Sequence, residues 1–95
     1  MKLIALTFYD TQFTADWKQL LIRSGAKRLL VNIELIASVS PTPIEARDEV
    51  YGVKNLHYVK TMIPNGRGIN GVDYSGYYVT EETYATLIDN LEIIG

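Results

Sequence analysis

Thr14-Ala15-Asp16-Trp17-Lys18-Gln19-Leu20-Leu21-Ile22-Arg23-Ser24-Gly25 is the stretch whose reading decides the fold class of this 95-residue chain. Thr14 is a helix-capping residue type, and Asp16 stands where a carboxylate meets the positive end of a helix dipole. Trp17, Leu20 and Leu21 are spaced to share one helical face, and Gly25 supplies a stop. Lys18, Arg23 and Lys27 fall in the middle and last turn, where positive charge is tolerated. The spacing predicts a helix over 14–24.

On either side of that segment the period changes. Lys2 to Tyr9 is apolar, β-branched and aromatic, which predicts a largely buried strand. From Arg28 to Val39 the chain alternates: Leu29, Val31, Ile33, Leu35, Ala37 and Val39 share one face, and Leu30, Asn32, Glu34, Ile36 and Ser38 the other. That pattern fits one long strand or two strands bent near Asn32-Ile33-Glu34. Thr42-Pro43-Ile44-Glu45 is a capping box with proline at the first helical position, and Gly52 marks a stop, so a short helix is expected over 43–51.

Leu56 to Ile63 and Tyr74 to Val79 read as strands. Thr80 then caps a helix over 81–91, with Glu81 and Glu82 in its first turn and Tyr84, Leu87, Ile88 and Leu91 at i, i+3, i+4, i+7. Ser40-Pro41-Thr42-Pro43 and Asn65 to Gly71 collect chain breakers and read as loops. The expected fold is α+β in the order β-α-β-α-β-β-α. A small, mainly antiparallel sheet carries the C-terminal amphipathic helix, and also the 14–24 helix, in a single domain over 1–95.

Composition bounds the function. A formal charge of −2 and a hydrophobic content of 47% against 21% charged residues fit a small globular domain and exclude a disordered chain. The absence of cysteine excludes disulfide scaffolds, Cys-ligated zinc, iron–sulfur clusters and thiol nucleophiles. One histidine, His57, excludes a two-histidine metal motif. The longest aliphatic run, Leu3-Ile4-Ala5-Leu6, is too short to span a bilayer, so a cytoplasmic protein without membrane contact is expected. No cofactor or metal site is expected.

Gly66-Arg67-Gly68-Ile69-Asn70-Gly71 matches G-x-G-x-x-G letter for letter. A dinucleotide site needs a strand before that motif and a helix directly after it, and here Val72 to Val79 reads as strand. The motif is therefore expected to be a hairpin connection. A different use is open to it: a glycine-rich loop with Arg67, beside Lys54, Lys60, Tyr58, Tyr74 and Tyr77, has the charge and rings that hold single-stranded nucleic acid. Against this, residues 41–95 carry four basic and eight acidic side chains. Tyrosines on a small sheet more often fill a core or a protein–protein contact.

Asp10, directly after the first strand, resembles the opening of ferredoxin-like metal-dependent nucleases, in which an aspartate there binds a metal. One carboxylate does not make a two-metal or acid–base site, and a turn residue accepting a hydrogen bond is the simpler reading. His57 reads as a strand residue at the edge of the core.

Leu30-Val31-Asn32-Ile33-Glu34-Leu35-Ile36-Ala37-Ser38-Val39 resembles the V-N-x-x-x-I-x-x-I stretch of small FlbD-like proteins of flagellar operons, phages and mobile elements. Tyr77-Tyr78-Val79-Thr80-Glu81-Glu82-Thr83 through Leu87-Ile88 resembles their closing strand and helix. The match covers about a third of the chain. Thr11 to Lys27 and Pro41 to Asn55 are insertions relative to it. The resemblance implies a strongly bent antiparallel sheet closed by the C-terminal helix, a structural role for Asn32 at a bend, and no catalytic activity.

The function expected from these readings is a non-enzymatic protein-binding module, an accessory or anti-host factor of a phage or mobile element, which pairs with itself through exposed sheet edges. The candidate binding residues are Lys54, Tyr58, Lys60, Arg67, Tyr74 and Tyr77. Single-stranded nucleic-acid binding through that set is the alternative, followed by a metal-dependent nuclease centred on Asp10.

Overall fold

A computed structural model describes residues 2–48, 50, 52–68 and 71–91. Its strands are β1 (Leu3–Tyr9), β2 (Thr11–Phe13), β3 (Leu20–Ile22), β4 (Lys27–Asn32), β5 (Ile36–Val39), β6 (Ile44–Asp48), β7 (Gly52–Gly68) and β8 (Gly71–Thr80). One α-helix, α1 (Glu81–Leu91), follows. The strands form a single eight-stranded mixed sheet in the order β2-β3-β6-β7-β8-β1-β4, with β5 paired to β7. Among the described residues only β3 and β6 run parallel. The architecture is predominantly β, which overturns the expected α+β order and its small sheet.

The expected helix over 14–24 is a tight turn and a returning strand. β2 pairs with β3 and β1 with β4, so that residues 3–13 and 20–32 form one long hairpin. Thr14 and Asp16 use their side chains on the turn instead of capping a helix. Thr14 Oγ1 accepts from the Gln19 N–H at 3.3 Å, and Asp16 Oδ1 accepts from the Lys18 N–H at 3.1 Å. Threonine and aspartate favour helix starts and turns for the same reason, a short side chain that competes for nearby backbone groups.

The expected helix over 43–51 is strand β6. Ile44 and Ala46 alternate with Glu45 and Arg47, and the apolar pair packs inward, Ala46 without any exposure. Hairpin pairing to β7 on one side and long-range pairing to β3 on the other outweigh the local start signals at Thr42-Pro43.

Residues 28–39 are two strands, not one. Asn32 ends β4, and its Oδ1 accepts from the Glu34 N–H at 3.0 Å, capping a 3-10 turn over Ile33–Leu35. That turn redirects the chain from β4 beside β1 to β5 beside β7. The Gly66–Gly71 motif lies at the end of the β7–β8 hairpin, with Gly68 opposite Gly71. Ile69 and Asn70 lie outside the described residues.

Two cores result, on opposite faces of the shared strands. Strand alternation separates Val59, Tyr77 and Val79 from Leu56, Tyr58 and Tyr78. On the first face Ile4, Leu6, Val31, Val59 and Val79 enclose Leu87 of α1. On the second, Leu20, Ala46 and Leu56 pack with Tyr9, Phe13, Ile22, Ile44 and Tyr78. Helix α1 occupies the residues its signals indicate: the Thr83 N–H donates to Thr80 Oγ1 at 3.2 Å, and Leu87 is fully buried. His57 is buried on the first face, its ring stacked on Tyr84 at 3.8 Å and its Nδ1–H donating to Ser40 O at 3.0 Å. No helix of the described residues is long and apolar enough to cross a membrane.

Candidate functional site

The second core is capped by a row of rings. Tyr58 of β7 and Tyr78 of β8 face each other across the ladder with centroids 5.0 Å apart. Tyr78 meets Phe13 of β2 edge to face at 6.4 Å, and Phe13 meets Trp17 of the hairpin turn at 5.4 Å. The strands bring these residues together from three parts of the chain, and the row ends in solvent at Trp17, which is 75% exposed.

Trp17 has φ of 59°, the left-handed region, and is the one non-glycine residue there among the described residues. A bulky side chain in that region costs about 1–2 kcal/mol, so the turn must impose it. The Trp17 N–H donates to Thr14 O at 2.9 Å and the Thr14 N–H to Gln19 O at 2.9 Å, while the Thr14 hydroxyl donates to Asp16. The Asp16 carboxyl is held below its usual range, first by the Thr14 hydroxyl and then by the Lys18 N–H. An indole with three quarters of its surface in water is thus held in one place by a short, well-bonded turn.

The residues singled out from the sequence do not all reach this face. Lys54, Tyr58 and Lys60 share it by alternation along β7, and Tyr74, half exposed and opposite Pro64, shares it along β8. Lys60 stands opposite Gly76, beside Tyr58, and is exposed. Tyr77 is on the other face, packed on Phe8 at 4.8 Å in the first core. The backbone of Arg67 pairs with Val72, and its side chain lies outside the described residues. Burial holds the Tyr78 hydroxyl above its ordinary range, with a smaller contribution from Tyr58.

Trp17 is the residue that sequence reasoning placed elsewhere, in a helix, and Phe13 is one it did not single out. A signal for the surface reading is present: Trp17 sits between Asp16 and Lys18, with no apolar residue adjacent except Ala15 two positions back.

At the opposite end of the second core lies an open cleft of about 730 Å³, lined by Tyr9, Ile22, Arg23, Arg47, Asp48 and Lys54 among others. Lys54 Nζ stands 5.6 Å above the Tyr9 ring, within cation–π range. Asp10, just outside it, is a latch within the long hairpin. Its backbone oxygen accepts from the Arg23 N–H at 2.7 Å, and its carboxylate accepts from Ser24 Oγ at 3.0 Å and pairs with Lys27. These bonds, Lys27 first, keep the Asp10 carboxyl below its usual range. Among the described residues no three histidine or carboxylate side chains gather into a metal site. No family model, curated protein or solved structure matches the chain.

Proposed function

We propose that this protein is a non-enzymatic protein-binding module whose contact surface is the aromatic row ending at Trp17. The observation that carries this reading is the exposure of Trp17 in a strained backbone conformation. Strain of this kind persists where surrounding bonds over-determine it, and it gathers at functional sites. Tryptophan is the residue type most enriched among interface hot spots, and a pre-placed anchor lowers the ordering cost of association. Of the rings behind it, Phe13 meets Tyr78 edge to face and Tyr58 is tilted at 53° to Tyr78, as rings pack in a core. That packing suits a firm platform for a protein surface better than a ladder for stacked bases.

The experiment is a paired capture from lysate of the cell in which the protein occurs, with wild type and Trp17→Ala as baits and quantitative mass spectrometry as readout. The reading expects a protein enriched by wild type and lost with the variant. Identical capture profiles would refute it.

A second reading, binding of single-stranded nucleic acid, is favoured by the placement of Lys54 over Tyr9 in a cleft that also carries Arg23 and Arg47. It requires affinity for labelled oligonucleotides that falls steeply with salt. No binding at low salt ends it.

A further inference from the structure

We infer that β4 is a self-association edge, and that its occupant is the β4 strand of a second copy of this chain in antiparallel register. β4 closes one end of the sheet and has β1 as its hydrogen-bonded neighbour, which among the described residues leaves its other row of backbone groups unpaired by any strand. Such an edge is a template for another strand unless something blunts it. Of the two cations at its start, Lys27 is already engaged by Asp10, and the exposed Arg28 is the charge that a second strand must answer.

The outward face at this edge is apolar. Leu30 lies opposite Ala5, and Leu3 lies opposite Asn32, so Leu3, Ala5 and Leu30 form a patch in which Leu30 is 67% and Leu3 55% exposed. A two-fold axis through Leu30 sets Leu30 against its own copy and extends the patch into a strip of leucines running Leu3, Leu30, Leu30, Leu3 across the junction.

Charge selects the second copy and its direction. Arg28 lies toward the start of β4 and Glu34 just past its end. Antiparallel apposition about Leu30 puts each Arg28 opposite the other copy's Asn32, on the side of its Glu34. Parallel apposition would put Arg28 against Arg28. Antiparallel apposition therefore avoids the like-charge contact and leaves Arg28 diagonal to the acid that follows the other copy's strand. This edge is separate from the Trp17 row, so its fate does not depend on the protein-binding reading.

The test uses light scattering on the full chain at up to about 100 µM, which registers any dissociation constant tighter than about 0.1 mM. Wild type is expected at twice the monomer mass, as is Trp17→Ser, whereas Leu30→Glu is expected to be a monomer with an unchanged far-ultraviolet circular dichroism spectrum. Because the chain has no cysteine, Leu30→Cys provides a second measurement. Opposed residues of an antiparallel pair have Cα atoms about 4.5–5.5 Å apart, within disulfide reach. Under mild oxidation Leu30→Cys should cross-link at least about ten-fold faster than Ala85→Cys, a control at an exposed position on α1 that disulfide geometry does not favour. A monomeric wild type over this range, a dimeric Leu30→Glu, or equal cross-linking of the two cysteine variants would each overturn the inference.

Discussion

The ring of Tyr58 lies across Gly76, so close that a Cβ at position 76 would stand 2.0 Å from the Tyr58 hydroxyl and 2.5 Å from the ring carbon bearing it. Gly76 is not at positive φ, so space and not backbone geometry demands a glycine here. The aromatic row owes its shape to this absence: Tyr58 lies down over β8, and Tyr78 and Phe13 line up behind it.

Gly76→Ala should therefore destabilise the fold by about 1–3 kcal/mol, the usual range for an overpacked contact. In a Tyr58→Ala background the same change should cost less than about 0.5 kcal/mol, because the obstructing ring is gone and alanine is the better strand residue. Urea unfolding of the four proteins measures this coupling. Additive effects would contradict the contact.

Trp17→Gly should leave stability nearly unchanged. Glycine removes about 1–2 kcal/mol of left-handed strain. It gives up about 0.5–1 kcal/mol of chain entropy and a ring contact with Phe13 worth about 0.5–1.5 kcal/mol. These terms cancel to within about 1.5 kcal/mol. Thermal unfolding checks this. A large loss of stability would mean that Trp17 is a core residue and not a presented one.

The Asp10 latch has a pH signature. Its folded pKa is lowered by Lys27 and Ser24, so the latch contributes its stability above the ordinary carboxylate range and loses it as pH falls through the folded value. Wild type should exceed Asp10→Asn in stability at neutral pH and converge with it in acid. Added salt should narrow the neutral-pH gap, since the pair is exposed. Parallel pH profiles for the two proteins would contradict the latch.

Helix α1 should be sensitive at two positions for two reasons. Thr80→Ala removes the cap to the Thr83 N–H and should cost about 1 kcal/mol. Leu87→Ala leaves a cavity in the first core and should cost about 2–5 kcal/mol, and Leu87→Asp should unfold the chain. Equal melting curves for wild type and Leu87→Asp would contradict the packing.

What was legible in the sequence was local. Helix α1 announces itself through a cap, two first-turn carboxylates and an unbroken 3.6-residue stripe, and nothing long-range competes with those signals. The first strand and the two halves of the β7–β8 hairpin were legible through alternation and β-branched content. The two lost helices share a cause. At Thr14-Ala15-Asp16 and at Thr42-Pro43-Ile44-Glu45 the residues carry helix-start chemistry that a turn or a strand can use as well, and strand pairing decides between them: β2 with β3, and β6 with β7 and β3. Ala46 pairs with Lys54 and also with Leu20, and no local window around Ala46 contains Leu20. The site suffered in consequence, because reading 14–24 as a helix buried Trp17 on paper. Among the residues chosen for binding, Tyr74 differs from Tyr77 by strand parity alone, and the parity of a strand becomes functional only when both of its faces and their neighbours are known.

The most direct test of a partner-binding Trp17 uses the fact that it is the chain's one tryptophan. Its emission in the free protein should be that of a solvent-exposed indole, fully quenched by acrylamide. Addition of the protein captured by wild-type bait should shift the emission to the blue and shield it from quencher. Emission and quenching that stay unchanged in the complex would contradict the account.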